Sequence, residues 1–166
     1  MRLTRYTDYS LRVLIHLALH HDRLCSIGEI SRVYGISHNH LMKVVNALAR
    51  DGFVETTRGR SGGVRLARPA EQIAVGEVVR RTEEGFELAD CSSCLLAPAC
   101  GLTSVLAQGM NAMIAVFDRY TVADLVGDKT ALRRLIDQPF PVENDMGQDR
   151  SAFSPDKAEP ESMPPR

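Results

Sequence analysis

Cys91, Cys94 and Cys100, three of the chain's four cysteines, fall within ten residues of the stretch ADCSSCLLAPACG, and Cys25 stands far upstream. Thiolates are soft ligands, so this C-x2-C-x5-C run suits zinc, an iron–sulfur cluster or a redox dithiol. Structural zinc closes on four ligands, typically two pairs of Cys or His, and no second pair is present. A cluster on three cysteines keeps one coordination position for another group. A redox C-x-x-C belongs with a βαβ pattern, which the flanks lack. A thiol- or metal-dependent enzyme would need a general base, and no His/Cys/Asp constellation is evident outside the loop. Cys25 reads as a small, partly buried side chain near a helix start. His16, His20 and His21 make only a weak alternative metal site.

The rest of the chain must position this loop. With 166 residues and 44% hydrophobic content, the chain suits one domain with an appendage. No apolar run approaches the ~20 residues needed to cross a bilayer. The apolar N-terminal stretch is broken by Arg12 and His16 and reads as an amphipathic helix, so a cytoplasmic protein without membrane attachment is expected. There, clustered cysteines favour metal or redox chemistry over disulfides. Residues 1–81 carry a net charge of +6 and residues 82–166 a net charge of −7, which places any polyanion partner on the N-terminal half. The last 28 residues hold six of the eight prolines, and 139–166 is expected to be a disordered tail.

Within the basic half, Leu11, Leu14, Ile15, Ala18 and Leu19 give residues 6–21 one apolar helical stripe. Ser26 caps a short helix carrying Ile27, Ile30 and Val33, which Gly35 ends. Ser37 opens a third helix whose Leu41, Val44, Val45 and Leu48 face inward. Its exposed side begins with Ser37, His38, Asn39 and His40, followed by Lys43. Two helices across a tight turn form a helix-turn-helix, and such side chains can read base edges in the major groove. An ordinary three-helix core with a polar helix start would show the same spacing. Next, strands at 53–57 and 64–67 flank Arg58, Gly59, Arg60, Ser61, Gly62 and Gly63. This predicts a β-hairpin wing whose glycines permit positive φ and whose Arg58 and Arg60 meet phosphate or a narrow minor groove. The loop opens no helix and lacks the Lys-Ser/Thr of a nucleotide-binding P-loop.

Residues 75–82 suit a short helix. Beyond the cysteines, Leu102, Val105, Leu106, Met110, Met113, Ile114 and Phe117 recur at helical spacing, with more apolar surface than one small domain covers. The reading is a mainly α winged helix-turn-helix with a long C-terminal helix that pairs with its copy in a homodimer. The expected divisions are a DNA-binding domain at 1–83, the cysteine loop at 84–101 and a dimerisation segment at 102–138.

YTDYSLRVLIHLA, GISHNHLMKVVNAL, RGRSGGVRLARPA, the three-cysteine loop and YTVADLV, in that order, together resemble the winged-helix iron–sulfur repressors over residues 1–137. The resemblance implies that Cys91, Cys94 and Cys100 hold an iron–sulfur cluster, 4Fe–4S in preference to 2Fe–2S. One branch of the family takes its fourth ligand from a histidine three residues after the last cysteine, where this chain has Thr103. A nitric-oxide-sensing branch takes it from a first-helix aspartate of the other subunit, which matches Asp8. Arg12, four residues on, is an alternative salt-bridge partner for Asp8. The two-residue gap between Cys91 and Cys94 is shorter than the pattern of that branch. The implied function is repression at an inverted-repeat DNA operator with nitric oxide as effector. Iron or redox sensing is the alternative within the family, and a zinc or thiol protein the alternative outside it.

Overall fold

The computed structural model describes residues 2–137 except 84, 87 and 92. The proline-rich segment expected to be a tail, and the end of the segment assigned to dimerisation, lie outside the described residues. Seven α-helices and one antiparallel hairpin are present among them.

Helix α1 (Arg5–Leu19) starts where Thr4 accepts the amide of Thr7 on its hydroxyl, satisfying one of the donors a helix start leaves unpaired. Glu83 accepts both the backbone amide of Thr4, at 2.8 Å, and its hydroxyl, at 3.1 Å. The first turn is thereby fastened to the residue that leads into the cysteine loop. The helix is not the single-stripe element that its apolar spacing suggests. Thr7, Ser10, Val13, His16 and Leu17 are buried together with Leu14, Ala18 and Leu19, because α3, α4, α6 and the hairpin all pack on it.

Helix α2 (Ile27–Tyr34) begins at Ser26, whose hydroxyl accepts the Glu29 amide, and ends at Gly35 in the left-handed region, φ 62°. Only glycine adopts that conformation without steric cost, so the turn into α3 (His38–Arg50) is set there. Ser37 caps α3 through the His40 amide. Leu41, Val44, Val45 and Leu48 are buried as the spacing predicts. They join Leu14, Leu17, Ile30 and Phe53 in the main core.

Strands β1 (Val54–Thr57) and β2 (Gly63–Leu66) pair in antiparallel register, Val54 opposite Leu66 and Thr57 opposite Gly63. The link between α1 and α2 adds a third member: the Cys25 amide donates to the Val64 carbonyl at 3.0 Å, and the Val64 amide to the Cys25 carbonyl at 2.8 Å.

Helix α4 (Val75–Thr82) and helix α5 (Leu102–Phe117) share a second core of Val75, Val79, Met110 and Ile114. Arg80 closes this seam with a two-pronged ion pair to Asp118, one prong at 2.8 Å. Helix α6 (Val122–Leu125) opens with a capping box between Thr121 and Asp124. It is tied back by the Val122 amide on the Ile73 carbonyl, 2.8 Å. Arg133 of helix α7 (Lys129–Asp137) donates to the Leu19 carbonyl at 2.7 Å. A cation thus sits where the dipole of α1 is negative. No helix among the described residues is long and apolar enough to cross a membrane.

Candidate DNA interface and cysteine loop

Ser37, His38, Asn39, His40 and Lys43 are all exposed, on the side of α3 opposite its buried residues. Helical spacing continues that surface through Asn46 and Arg50, also exposed, which the sequence reading left out. The repeat Asn39, Lys43, Asn46, Arg50 at intervals of three and four was the signal for them. A helix entering a groove would thus present hydrogen-bonding groups in its first turn and cations further along.

The hairpin stands beside it. Arg58 and Arg60 are exposed at the tip, where the Gly62 amide closes a turn on the Gly59 carbonyl at 3.0 Å. Of the tip glycines only Gly59 has positive φ, 111°. Gly62 and Gly63 are needed for space, correcting the expected reason. A side chain at Gly62 would collide with the Thr57 carbonyl, and one at Gly63 would lie 2.8 Å from the Cys25 carbonyl oxygen. At the base, Arg65 pairs with Glu55 directly across the ladder, leaving the tip arginines as the cations free of such a cross-strand partner.

Cys91, Cys94 and Cys100 are free thiols; Cys94 is exposed and the other two are half-buried. The Cys94 amide approaches the Cys91 carbonyl at 3.4 Å, and a single 3-10 turn, Ala97–Ala99, precedes Cys100. All three lie outside both cores, as suits thiols offered to a metal group rather than packed away. Leu95, Leu96, Leu102 and Val105 beside them are 93, 67, 53 and 62% exposed. Among the described residues the early part of α5 therefore has no apolar cover, whereas Met110 and Ile114 further along are buried.

Asp8 lies half-exposed on α1, its carboxylate accepting from Arg12 Nε at 3.0 Å. The alternative partner read from the sequence is thus formed in this structure. The neighbouring Tyr9 ring faces His40 of α3.

The fold also assembles a group the sequence reading missed. His16, Cys25 and Glu29 bring nitrogen, sulfur and oxygen atoms within 4.8 Å of one another, a His/Cys/Glu constellation outside the loop. Burial, with His20 close by, holds the His16 imidazole down at about 4. Burial pushes the Cys25 thiol up to about 11. Hydrogen bonding from Arg23 holds the Glu29 carboxyl at about 2. Cys25 is fully buried, deeper than the partly buried position expected.

A recognition helix with an exposed polar first turn, a hairpin wing with cationic tip and a two-lobed helical body define a winged-helix DNA-binding regulator. Residues 3–128 match the Rrf2 family, described as iron-dependent transcriptional regulators, and the chain belongs to that family. It is 48% identical over 142 residues to the HTH-type transcriptional regulator NsrR of Bacillus subtilis, covering 82% of this chain and 97% of the relative. Among solved structures it resembles T. potens IscR, with TM-score 0.66, 24% identity and coverage of 80% of this chain and 91% of that one. It also resembles CymR, the global cysteine regulator of B. subtilis, with TM-score 0.64, 22% identity and coverage of 76 and 97%. The protein is a transcriptional regulator and not an enzyme.

Proposed function

We propose that the chain is a homodimeric repressor whose operator affinity is set by an iron–sulfur cluster, held by Cys91, Cys94 and Cys100 of one subunit and Asp8 of the other, with nitric oxide as the effector. The observation that supports this reading is that the chain offers both three free thiols on a loop outside the core and a half-exposed carboxylate on α1. The donor set fits: soft thiolates suit iron–sulfur chemistry, and a single hard oxygen is the ligand most readily exchanged. Similarity to NsrR favours nitric oxide over iron or redox state as the signal.

Bound there, a cluster, 4Fe–4S in preference to 2Fe–2S, would supply an iron reactive toward nitric oxide. The chain's own residues transmit the result. Asp8 has two partners available in turn, the cluster and Arg12. When it returns to Arg12, the start of α1 is released from the other subunit's loop. Helix α3 packs on α1, so the two recognition helices shift relative to one another. The exposed apolar run from Leu95 to Val105 is the surface a second copy would cover. Ser37, His38, Asn39, His40 and Lys43 would face bases, and Arg58 and Arg60 phosphates.

Anaerobic purification followed by iron, sulfide and zinc analysis, then nitric oxide titration against an operator inverted repeat, tests the proposal. Expected are iron and sulfide in cluster proportion and release of DNA at a few equivalents of nitric oxide. Zinc without sulfide would sink the cluster. Faster release by an iron chelator than by nitric oxide would replace the effector with iron.

A further inference from the structure

Apart from the cysteine loop and the DNA-facing surface, one polar cluster has no part in the function above. His16 projects from α1, Cys25 from the link that pairs with the wing and Glu29 from the first turn of α2. His16 and Cys25 are fully buried. Among the described residues neither ring nitrogen of His16 has a hydrogen-bond partner, although native structures satisfy the great majority of buried polar atoms. Nε2 lies 3.4 Å from Glu29 Oε1 without the geometry of a hydrogen bond. We propose that His16, Cys25 and Glu29 form a second metal site, for a divalent cation such as Zn2+, distinct from the cysteine loop.

Imidazole, thiolate and carboxylate are the three zinc-binding side-chain types, and three protein ligands with a fourth position open to water is an established zinc arrangement. Bond lengths of roughly 2.0 to 2.3 Å place tetrahedral ligand atoms about 3.5 Å apart. The His16–Glu29 separation already has that span, and the widest in the group, at most 4.8 Å, closes by rotation of side chains. Glu29 is 26% exposed and gives the site its opening to solvent. Its present partner, Arg23, grips both carboxylate oxygens. Arg23 is itself 44% exposed and can swing into water, since exposed ion pairs are weak. On binding, the Cys25 S–H bond breaks, a sulfur–metal bond forms and the proton leaves to solvent. The neutral His16 ring and the Glu29 carboxylate bind without proton loss, and no electron moves. The metal would fasten α1 to the first helix of the helix-turn-helix, at the residue whose backbone holds the wing.

The test uses the full chain with Cys91, Cys94 and Cys100 changed to serine. Cys25 is then its sole thiol, and the altered loop lies outside both cores. Titrated with Co2+, this protein should bind one equivalent with the near-ultraviolet band of cobalt–thiolate charge transfer, and Zn2+ should bleach it. Cys25→Ala should abolish the band. Glu29→Gln, a partly exposed change compatible with folding, should weaken Co2+ by more than the roughly 10- to 100-fold that loss of an outer-shell partner costs. In the unsubstituted protein, zinc beyond any bound iron should survive desalting and be lost in Glu29→Gln. Absence of the charge-transfer band, or equal Co2+ affinity in Glu29→Gln, overturns the proposal.

Discussion

The ring of Tyr9 lies 6.5 Å from that of His40, tilted by 34°. Tyr9 follows the proposed ligand Asp8 on α1, and His40 stands in the first turn of α3, so the pair joins the proposed sensing end of the molecule to its proposed reading end. Such aromatic contacts contribute about 0.5–1.5 kcal/mol, and up to about tenfold in an equilibrium follows. Tyr9→Ala should weaken operator binding by a few-fold to tenfold in fluorescence anisotropy while leaving cluster absorbance intact. Unaltered affinity would remove this contact from the transmission route.

Asp8 offers a sharper separation of roles. The exposed Asp8–Arg12 pair is worth only about 0.5 kcal/mol, so Asp8→Ala should barely move the melting temperature. It should still assemble a cluster on the three cysteines yet bind operator poorly, and Asp8→Cys should slow the reaction with nitric oxide. If Asp8→Ala matches the parent in both DNA binding and nitric oxide response, Asp8 is only the salt-bridge partner of Arg12.

The wing yields two distinguishable outcomes. Arg60→Ala should reduce the slope of log affinity against log salt by about 1 if Arg60 meets phosphate. Gly62→Ala acts through shape, because its methyl collides with the Thr57 carbonyl. It should lower affinity for every DNA sequence without removing a charge, and so without a matching loss of salt slope. A normal affinity for Gly62→Ala would show that the tip can remodel at no cost.

Alanine at Cys91, Cys94 or Cys100 should each prevent stable cluster assembly. Cys25→Ala should keep the cluster and, compared with parent protein carrying no metal at the His16–Cys25–Glu29 site, cost about 1 kcal/mol of stability through the small void it leaves in the core, read as a lower chemical denaturation midpoint. Loss of the cluster in Cys25→Ala with retention in Cys94→Ala would reverse the ligand assignment.

Local signals made much of this architecture legible. Ser26 and Ser37 announce helix starts because their hydroxyls satisfy amides that the helix leaves open, and the spacing of Leu41, Val44, Val45 and Leu48 fixes which side of α3 turns inward. The three loop thiols were conspicuous because they fall within ten residues of one another along the chain. The remainder depends on distant segments. His16 looks like a break in an apolar helix until α2 is folded against it, and the one-stripe reading of α1 fails because four elements surround that helix. In sequence Gly62 and Gly63 look like conformational devices, but the close approach of Thr57 and Cys25 appears only once the hairpin is docked.

The backbone pairing of Cys25 with Val64 fuses wing and helix-turn-helix into one stiff reading head. A dimer of two such heads would act as a caliper, with the gap between them as the dimension to adjust. Inserting a single base pair between half-sites should therefore defeat binding as thoroughly as altering the half-sites themselves. Any effector that acts at the joint between subunits would then be registered on DNA as a wrong gauge.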